Sequence, residues 1–196
     1  MKISTWNLNS INARIDHLVK FIKSDQSDIY LLQELKSIED NFPKIEKKNL
    51  GYHCYVNGQK AWNGVAILSK KELPIINTKI PYYNDENARF LETEIILSKI
   101  KQKIKLICIY LPNGNPIETN KFDYKIEWMK KFNDYIIKLK KNMTPIIIGG
   151  DFNVIPNDED VYSPENYKND ACTHPLTREQ FRILLNRGFT DTEKFF

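Results

Sequence analysis

The sequence predicts an α/β or α+β fold, with sheets covered by helices. Three observations predict it. Short apolar runs of strand length recur along the chain. Some are separated only by polar loops, which is the pattern of hairpins. Others are separated by stretches with helical spacing, which is the pattern of strand–helix–strand crossings. At 196 residues the chain has the length of one ordinary domain.

The elements follow in order. "KISTWN" (2–7) reads as a short strand. "RIDHLVKFIK" (14–23) places Ile15, Leu18, Val19 and Ile22 at helical spacing, with Ser10 or Asn12 as its cap. "DIYLLQE" (28–34) is short and mostly apolar, and reads as a buried strand. "YHCYV" (52–56) and "GVAILS" (64–69) form a strand pair around the polar loop "NGQKAWN". "FLETEIIL" (90–97) and "IKLICIYL" (104–111) flank the lysine-rich "SKIKQKIK" and read as a hairpin. Its lysines are expected on a solvated edge rather than in a DNA-binding patch. "KFDYKIEWMKKFNDYIIKLKK" (121–141) carries Phe122, Ile126, Met129, Phe132, Ile136 and Leu139 on one helical face, as core rather than as a stacking platform for bases. "PIIIGGDFN" (145–153) returns as a buried strand. "LTREQFRILLNRGF" has Thr177 as its expected cap, Gln180 three residues on, and Gly188 as a stop.

Composition narrows the class without naming a function. Apolar residues make up 41% and charged residues 28%, enough for a real core. The formal charge of +4 permits an anionic partner without requiring one. Cys54, Cys108 and Cys172 are widely spaced with no CxxC pair, so neither a zinc ribbon nor a disulfide framework is indicated. Cysteine usage fits a reducing compartment. No stretch approaches the length of a membrane span, so a soluble cytoplasmic protein without a membrane partner is expected.

Several of these strands end in polar residues. Asn7 follows "KISTW", Glu34 follows "DIYLLQ", and Asp151 and Asn153 follow "IIIGG"; a fourth strand ends in Tyr110. Strand ends on a rigid sheet can hold side chains still at its rim. In Asp151-x-Asn153 the two side chains share a face if the backbone stays extended. Gly149 and Gly150 would let a backbone or ligand approach closely. Carboxylates with amide oxygens and no cysteine suit a hard divalent cation such as Mg²⁺, which takes few protein ligands and relies on water and substrate phosphate for the rest. Each residue alone has an ordinary reading as a turn former, a cap or a packing residue.

At these residues the chain resembles the exonuclease III family of DNA-repair (apurinic/apyrimidinic) nucleases, in the endonuclease/exonuclease/phosphatase superfamily. The matching stretches are "WNLNSINAR", "LLQELK", "NGQKAWNGVAILSK", "YLPNGNP", "IIGGDFNVIP" and "LLNRGFTDT", in that order. The resemblance implies a four-layer α/β sandwich of two packed mixed sheets flanked by helices. It implies Asn7 and Glu34 as metal-site residues for Mg²⁺ or Mn²⁺, together with Asp151 and Asn153. It implies Tyr110 on the scissile phosphate, Asp151 handling a proton, and Asn153 stabilising the transition state. Lys60, Arg89 and Asn113 are the implied DNA contacts. His174, lacking the family's Ser-Asp-His setting, is read as a loop residue.

The implied function is a metal-dependent DNA phosphodiesterase of base-excision repair: a 3′-5′ exodeoxyribonuclease and abasic-site endonuclease. Its partner would be double-stranded DNA with abasic sites and 3′ ends, and the protein a monomer. The resemblance covers residues 1–196 as a single domain without the family's C-terminal "RID"-like and "SDH" motifs. The chain is therefore expected to be a C-terminally truncated, incomplete sandwich, weakly active or inactive on its own. A non-catalytic DNA-binding remnant is one alternative. A superfamily relative acting on RNA or a phosphorylated lipid is another, but "GQKAW" and "YLPNG" point toward the DNA-repair branch.

Overall fold

The computed structural model describes residues 1–43, 50–97 and 100–195. Its contacts divide the chain into two interleaved units, residues 1–110 with 143–151 and residues 111–142 with 152–196.

The first unit holds two four-stranded sheets. In the first sheet, β1 (Ile3–Asn7) pairs in parallel with β2 (Ile29–Gln33). Next to β2 runs the antiparallel β4 (Val65–Ser69), and β3 (His53–Asn57) closes the order β1-β2-β4-β3. The helix α1 (Ile11–Asp25) joins β1 to β2, with the Ser10 side chain accepting from the Ala13 N–H at its start. In the second sheet, β6 (Phe90–Leu97) and β7 (Gln102–Tyr110) form the expected antiparallel hairpin. The short β5 (Ile75–Asn77) lies on one flank and β8 (Ile146–Asp151), parallel to β7, on the other.

Side-chain alternation explains the layering. Along β2, Tyr30 and Leu32 face Leu18 and Ile22 of α1 together with Ala66 and Leu68. Ile29 and Leu31 face the other way, into a core with Val65, Ile67, Leu91, Leu106 and Cys108. A strand buried on both faces needs no polar alternation, and all five residues of β2 are buried.

Three expectations change. The isoleucines of β8 are half-buried rather than core, because β8 is an edge strand of its sheet. Strand β5 escapes sequence reading: it has three residues and an irregular register. In the lysine-rich hairpin, Ser98 and Lys99 lie outside the described residues. Lys101 is exposed, but Lys105 is not simply solvated: its ammonium lies 3.1 Å from the fully buried carboxylate of Glu92.

The second unit contains α2 (Asn120–Lys140) and α3 (Pro175–Asn186). Phe122, Ile126, Met129, Phe132 and Ile136 are buried along α2, as the periodicity predicts. The start of α3 differs from expectation. His174, not Thr177, caps it, with Nδ1 accepting from the Leu176 N–H and Pro175 preorganising the first turn. Thr177 is buried and donates to the Ala171 carbonyl. Gly188 does end the helix, in a left-handed conformation. Among the described residues no helix is long and apolar enough to cross a membrane.

The two glycines of β8 serve unequal purposes. A Cβ on Gly149 would meet the tip of Leu31 at 2.5 Å, a flexible end that can yield. A Cβ on Gly150 would meet the Ile109 carbonyl oxygen at 2.0 Å, and its φ of +147° disfavours any side chain. Gly150→Ala should therefore destabilise by at least about 2 kcal/mol and by more than Gly149→Ala. Urea unfolding of both variants checks this; equal midpoints would mean that β8 can move off β7.

Candidate active site

The parallel pairs decide where the polar strand ends go. Because β1 and β2 run the same way, Asn7 and Gln33 are register partners at their C-terminal ends, and Glu34 follows directly. Because β7 and β8 run the same way, Tyr110 and Asp151 are register partners at theirs. C-terminal strand ends are where open α/β sheets bind ligands.

Four of the candidate residues meet there. Asn7 Nδ2 donates to Glu34 Oε1 at 2.8 Å and to Asp151 Oδ2 at 2.8 Å. The Tyr110 hydroxyl donates to Glu34 Oε1 at 3.0 Å. Asn7 Oδ1 is held by the Asn9 N–H at 3.0 Å, so the amide turns its N–H side to the carboxylates. One amide thus ties a carboxylate of the first sheet to a carboxylate of the second.

The backbone at Glu34 is bent to make this possible. Glu34 has φ +52° and Lys36 φ +51°, conformations that L residues adopt at a cost of order 1–3 kcal/mol each. Hydrogen bonds pin the bend: Ser10 N–H to Glu34 O at 2.8 Å and Lys36 N–H to Asn63 O at 2.8 Å. The Lys36 ammonium lies 3.1 Å from Glu34 Oε2 and also bonds Asn9 Oδ1. Burial alone would raise the pKa of Glu34. Hydrogen bonds from Asn7, Lys36 and Tyr110, with the Lys36 charge, outweigh it and hold the carboxyl below its usual value. Burial, with the charge of Glu34, pushes the Tyr110 phenol well above its usual value, so it stays a donor.

Arg89 sits against Tyr110. Its Nη1 donates to the Tyr110 carbonyl at 3.2 Å and the guanidinium lies over the ring, 4.9 Å from its centre. Lys60 is exposed on the loop before β4. An amide network ties that loop to the segment before Arg89. Asn63 Nδ2 donates to Gln59 Oε1 at 3.0 Å and to Asn87 Oδ1 at 3.1 Å, and Asn87 Nδ2 donates to Asp85 Oδ1 at 2.9 Å. Trp62, 76% exposed, projects from the same loop with the Lys36 ammonium 5.8 Å from its ring centre.

Asn113 and Asn153 belong to the second unit. There Asn113 Nδ2 donates to Asn153 Oδ1 at 3.2 Å, and Asn153 Nδ2 donates to the Leu111 carbonyl at 2.8 Å. Strand β8 stops at Asp151, and Asn153 has φ +46°. The condition for Asp151 and Asn153 to share a strand face is thus not met; asparagine tolerates this left-handed conformation better than most residues. His174, read from the sequence as a loop residue, is the cap of α3 and packs on Phe122, with ring centres 4.4 Å apart.

Sequence reading missed Lys36 and the Gln59–Asn63–Asn87–Asp85 network. Lys36, two residues after Glu34 in "QELK", carried a signal. The network carried none, since each member looks like an ordinary loop residue.

The donor set fits a small hard cation. The rim offers two carboxylates with oxygen and amide neighbours, and among the described residues no cluster of three or more His, Cys, Asp or Glu forms a closed metal cage. Mg²⁺ commonly uses one or two carboxylates and completes its shell with water and phosphate. Asn7 presents N–H rather than oxygen to the pair, which suits it to orienting the ligands.

Comparison with known proteins places this arrangement. Residues 4–195 match the model of the Endonuclease/Exonuclease/phosphatase family. The chain is 32% identical to exodeoxyribonuclease III of Haemophilus influenzae over 202 residues, covering 98% of this chain and 74% of that protein. Its structure is similar to that of an AP endonuclease from Archaeoglobus fulgidus, with a TM-score of 0.90 and 31% identity over 99% of this chain and 73% of that one. It is also similar to the 3′ phosphatase NExo from Neisseria bound to a product DNA hairpin, with a TM-score of 0.87 and 31% identity over 98% of this chain and 73% of that one.

The lowered pKa of Glu34 makes a pH prediction. The stability contributed by its ionised form is complete above the usual carboxylate value and is lost as pH falls through the lowered one. From roughly pH 5 to pH 3, wild-type protein should lose unfolding free energy more steeply than Glu34→Gln. Denaturant titrations across that range check it; parallel losses would detach Glu34 from the effect.

Proposed function

The chain belongs to the endonuclease/exonuclease/phosphatase family, among relatives that are DNA-repair nucleases, and on that premise we propose that the Asn7–Glu34–Tyr110–Asp151 rim hydrolyses a DNA phosphodiester with a divalent metal, Mg²⁺ or Mn²⁺. The observation that carries this reading is the single amide of Asn7 joining two carboxylates from different sheets.

Glu34 and Asp151 would hold the ion, with Asn7 orienting both. When bound, the ion would neutralise charge on the phosphate oxygens. Asp151 accepts the proton of the attacking water or returns one to the leaving oxygen. The water oxygen joins phosphorus as the bond to the 3′ oxygen breaks. Tyr110, kept protonated, donates to a non-bridging oxygen, and the role the family resemblance gives the Asn153 amide is stabilising the transition state. Arg89 acts chiefly through Tyr110, whose carbonyl and ring it already engages. Lys60 and Asn113 are the proposed backbone contacts, and duplex DNA with abasic sites or 3′ ends is the proposed substrate of a monomeric protein.

The test is incision of an abasic-site duplex by residues 1–196, with and without Mg²⁺. Weak metal-dependent incision, above background, is expected. Glu34→Ala should lower it by about 10² to 10⁴. Incision unaffected by Glu34→Ala would sink the assignment. Metal-independent binding of the duplex without cutting would favour a DNA-binding protein without chemistry.

A further inference from the structure

We infer that the buried ammonium of Lys125 is a positioning residue, tying together the backbones of the two loops that carry Asn113 and Asn153 and so setting their side-chain amides. The inference rests on the proposed role of those amides at the phosphodiester.

Lys125 lies on α2 and is fully buried. Its neighbours along the helix are apolar and buried: Phe122, Ile126, Trp128 and Met129. Packing alone would favour Leu or Met there, since taking an ammonium out of water is costly unless its donors are matched. An ammonium has three N–H donors. Three carbonyls receive Lys125 Nζ: Pro112 O at 3.1 Å, Asn113 O at 3.1 Å and Asn153 O at 2.6 Å. Two of them belong to the residues whose side chains bond each other, Asn113 Nδ2 to Asn153 Oδ1.

The result is a closed loop of contacts. The ammonium holds both backbones, and the two side-chain amides bond each other. Asn153 Nδ2 returns to Leu111 O, on the same segment as Pro112. The left-handed φ of Asn153, +46°, is held in place by its carbonyl's bond to Lys125. Gly114, at φ +88°, wraps the lysine stem so closely that a Cβ there would lie 2.5 Å from Lys125 Cδ. The neutral apolar side chain that packing would favour could satisfy none of the three carbonyls.

The experiment compares Lys125→Met and Lys125→Arg with the unaltered chain by two readouts. Side-chain amide resonances of Asn113 and Asn153 report their positions without any turnover. Steady-state incision of an abasic-site duplex with Mg²⁺ reports the chemistry. In the unaltered chain both amide pairs should be dispersed and protected from exchange. Lys125→Met should shift both and speed their exchange, lower kcat roughly 10- to 100-fold through Asn153, and raise KM a few-fold through Asn113. In an Asn113→Ala/Asn153→Ala background, Lys125→Met should cost little more, because that background already lacks what Lys125 positions. Lys125→Arg should recover part of the dispersion and of kcat. Unchanged Asn113 and Asn153 amides in Lys125→Met would overturn the inference, as would losses that multiply fully with Asn113→Ala/Asn153→Ala. If Lys125→Met does not fold, Lys125→Gln, which keeps a donor but loses charge and reach, carries the same comparison. If the unaltered chain shows no turnover, the functional reading fails while the amide readout still decides the role of Lys125.

Discussion

The site depends on one side-chain amide. Asn7 Nδ2 holds Glu34, which follows the first sheet, and Asp151, which ends the second, at 2.8 Å each. Two carboxylates brought together without compensation repel each other and raise at least one pKa. Here an amide donor, a phenol hydroxyl and an ammonium surround the pair, and Glu34 is held below its usual value instead. The arrangement stores negative charge that a cation or a proton can use, and the rest of the first unit keeps those groups in register.

That register comes from parallel pairing. A hairpin would place the ends of its two strands at opposite rims, so antiparallel neighbours could not deliver Asn7 with Glu34, or Tyr110 with Asp151, to one edge. Each sheet has one parallel pair, β1–β2 and β7–β8, and each supplies two of the four residues. Leu31 on one sheet and Gly149 on the other let the sheets approach where those pairs lie. The left-handed turn at Glu34 then aims its carboxylate back across the gap.

The sequence made most of this legible, for identifiable reasons. A short apolar run marked β2, which is buried on both faces, and the step of three and four marked α2. Polar residues after apolar runs marked the rim. What escaped lay where local pattern carries no information. Strand β5 is too short to show a period. The cap of α3 is an imidazole, a less usual acceptor than the hydroxyl of Thr177. The turn at Asn153 follows from carbonyl and amide partners distant in sequence, and Lys125 looks like any other lysine on a lysine-rich helix.

The ion pair between Lys105 and Glu92 has a consequence for the distant rim. Glu92 is register partner to Ile107, and Lys105 to Glu94, so the charges meet diagonally across the hairpin. A slip of β6 along β7 by two residues would keep every side chain on its own face, and alternation alone would not resist it. In the direction that sets Glu92 opposite Ile109, however, it would draw a fully buried carboxylate away from its cation. The pair thus works as a one-way longitudinal stop, a peg in the middle of the strand that limits the travel of its far tip, Tyr110, in that direction.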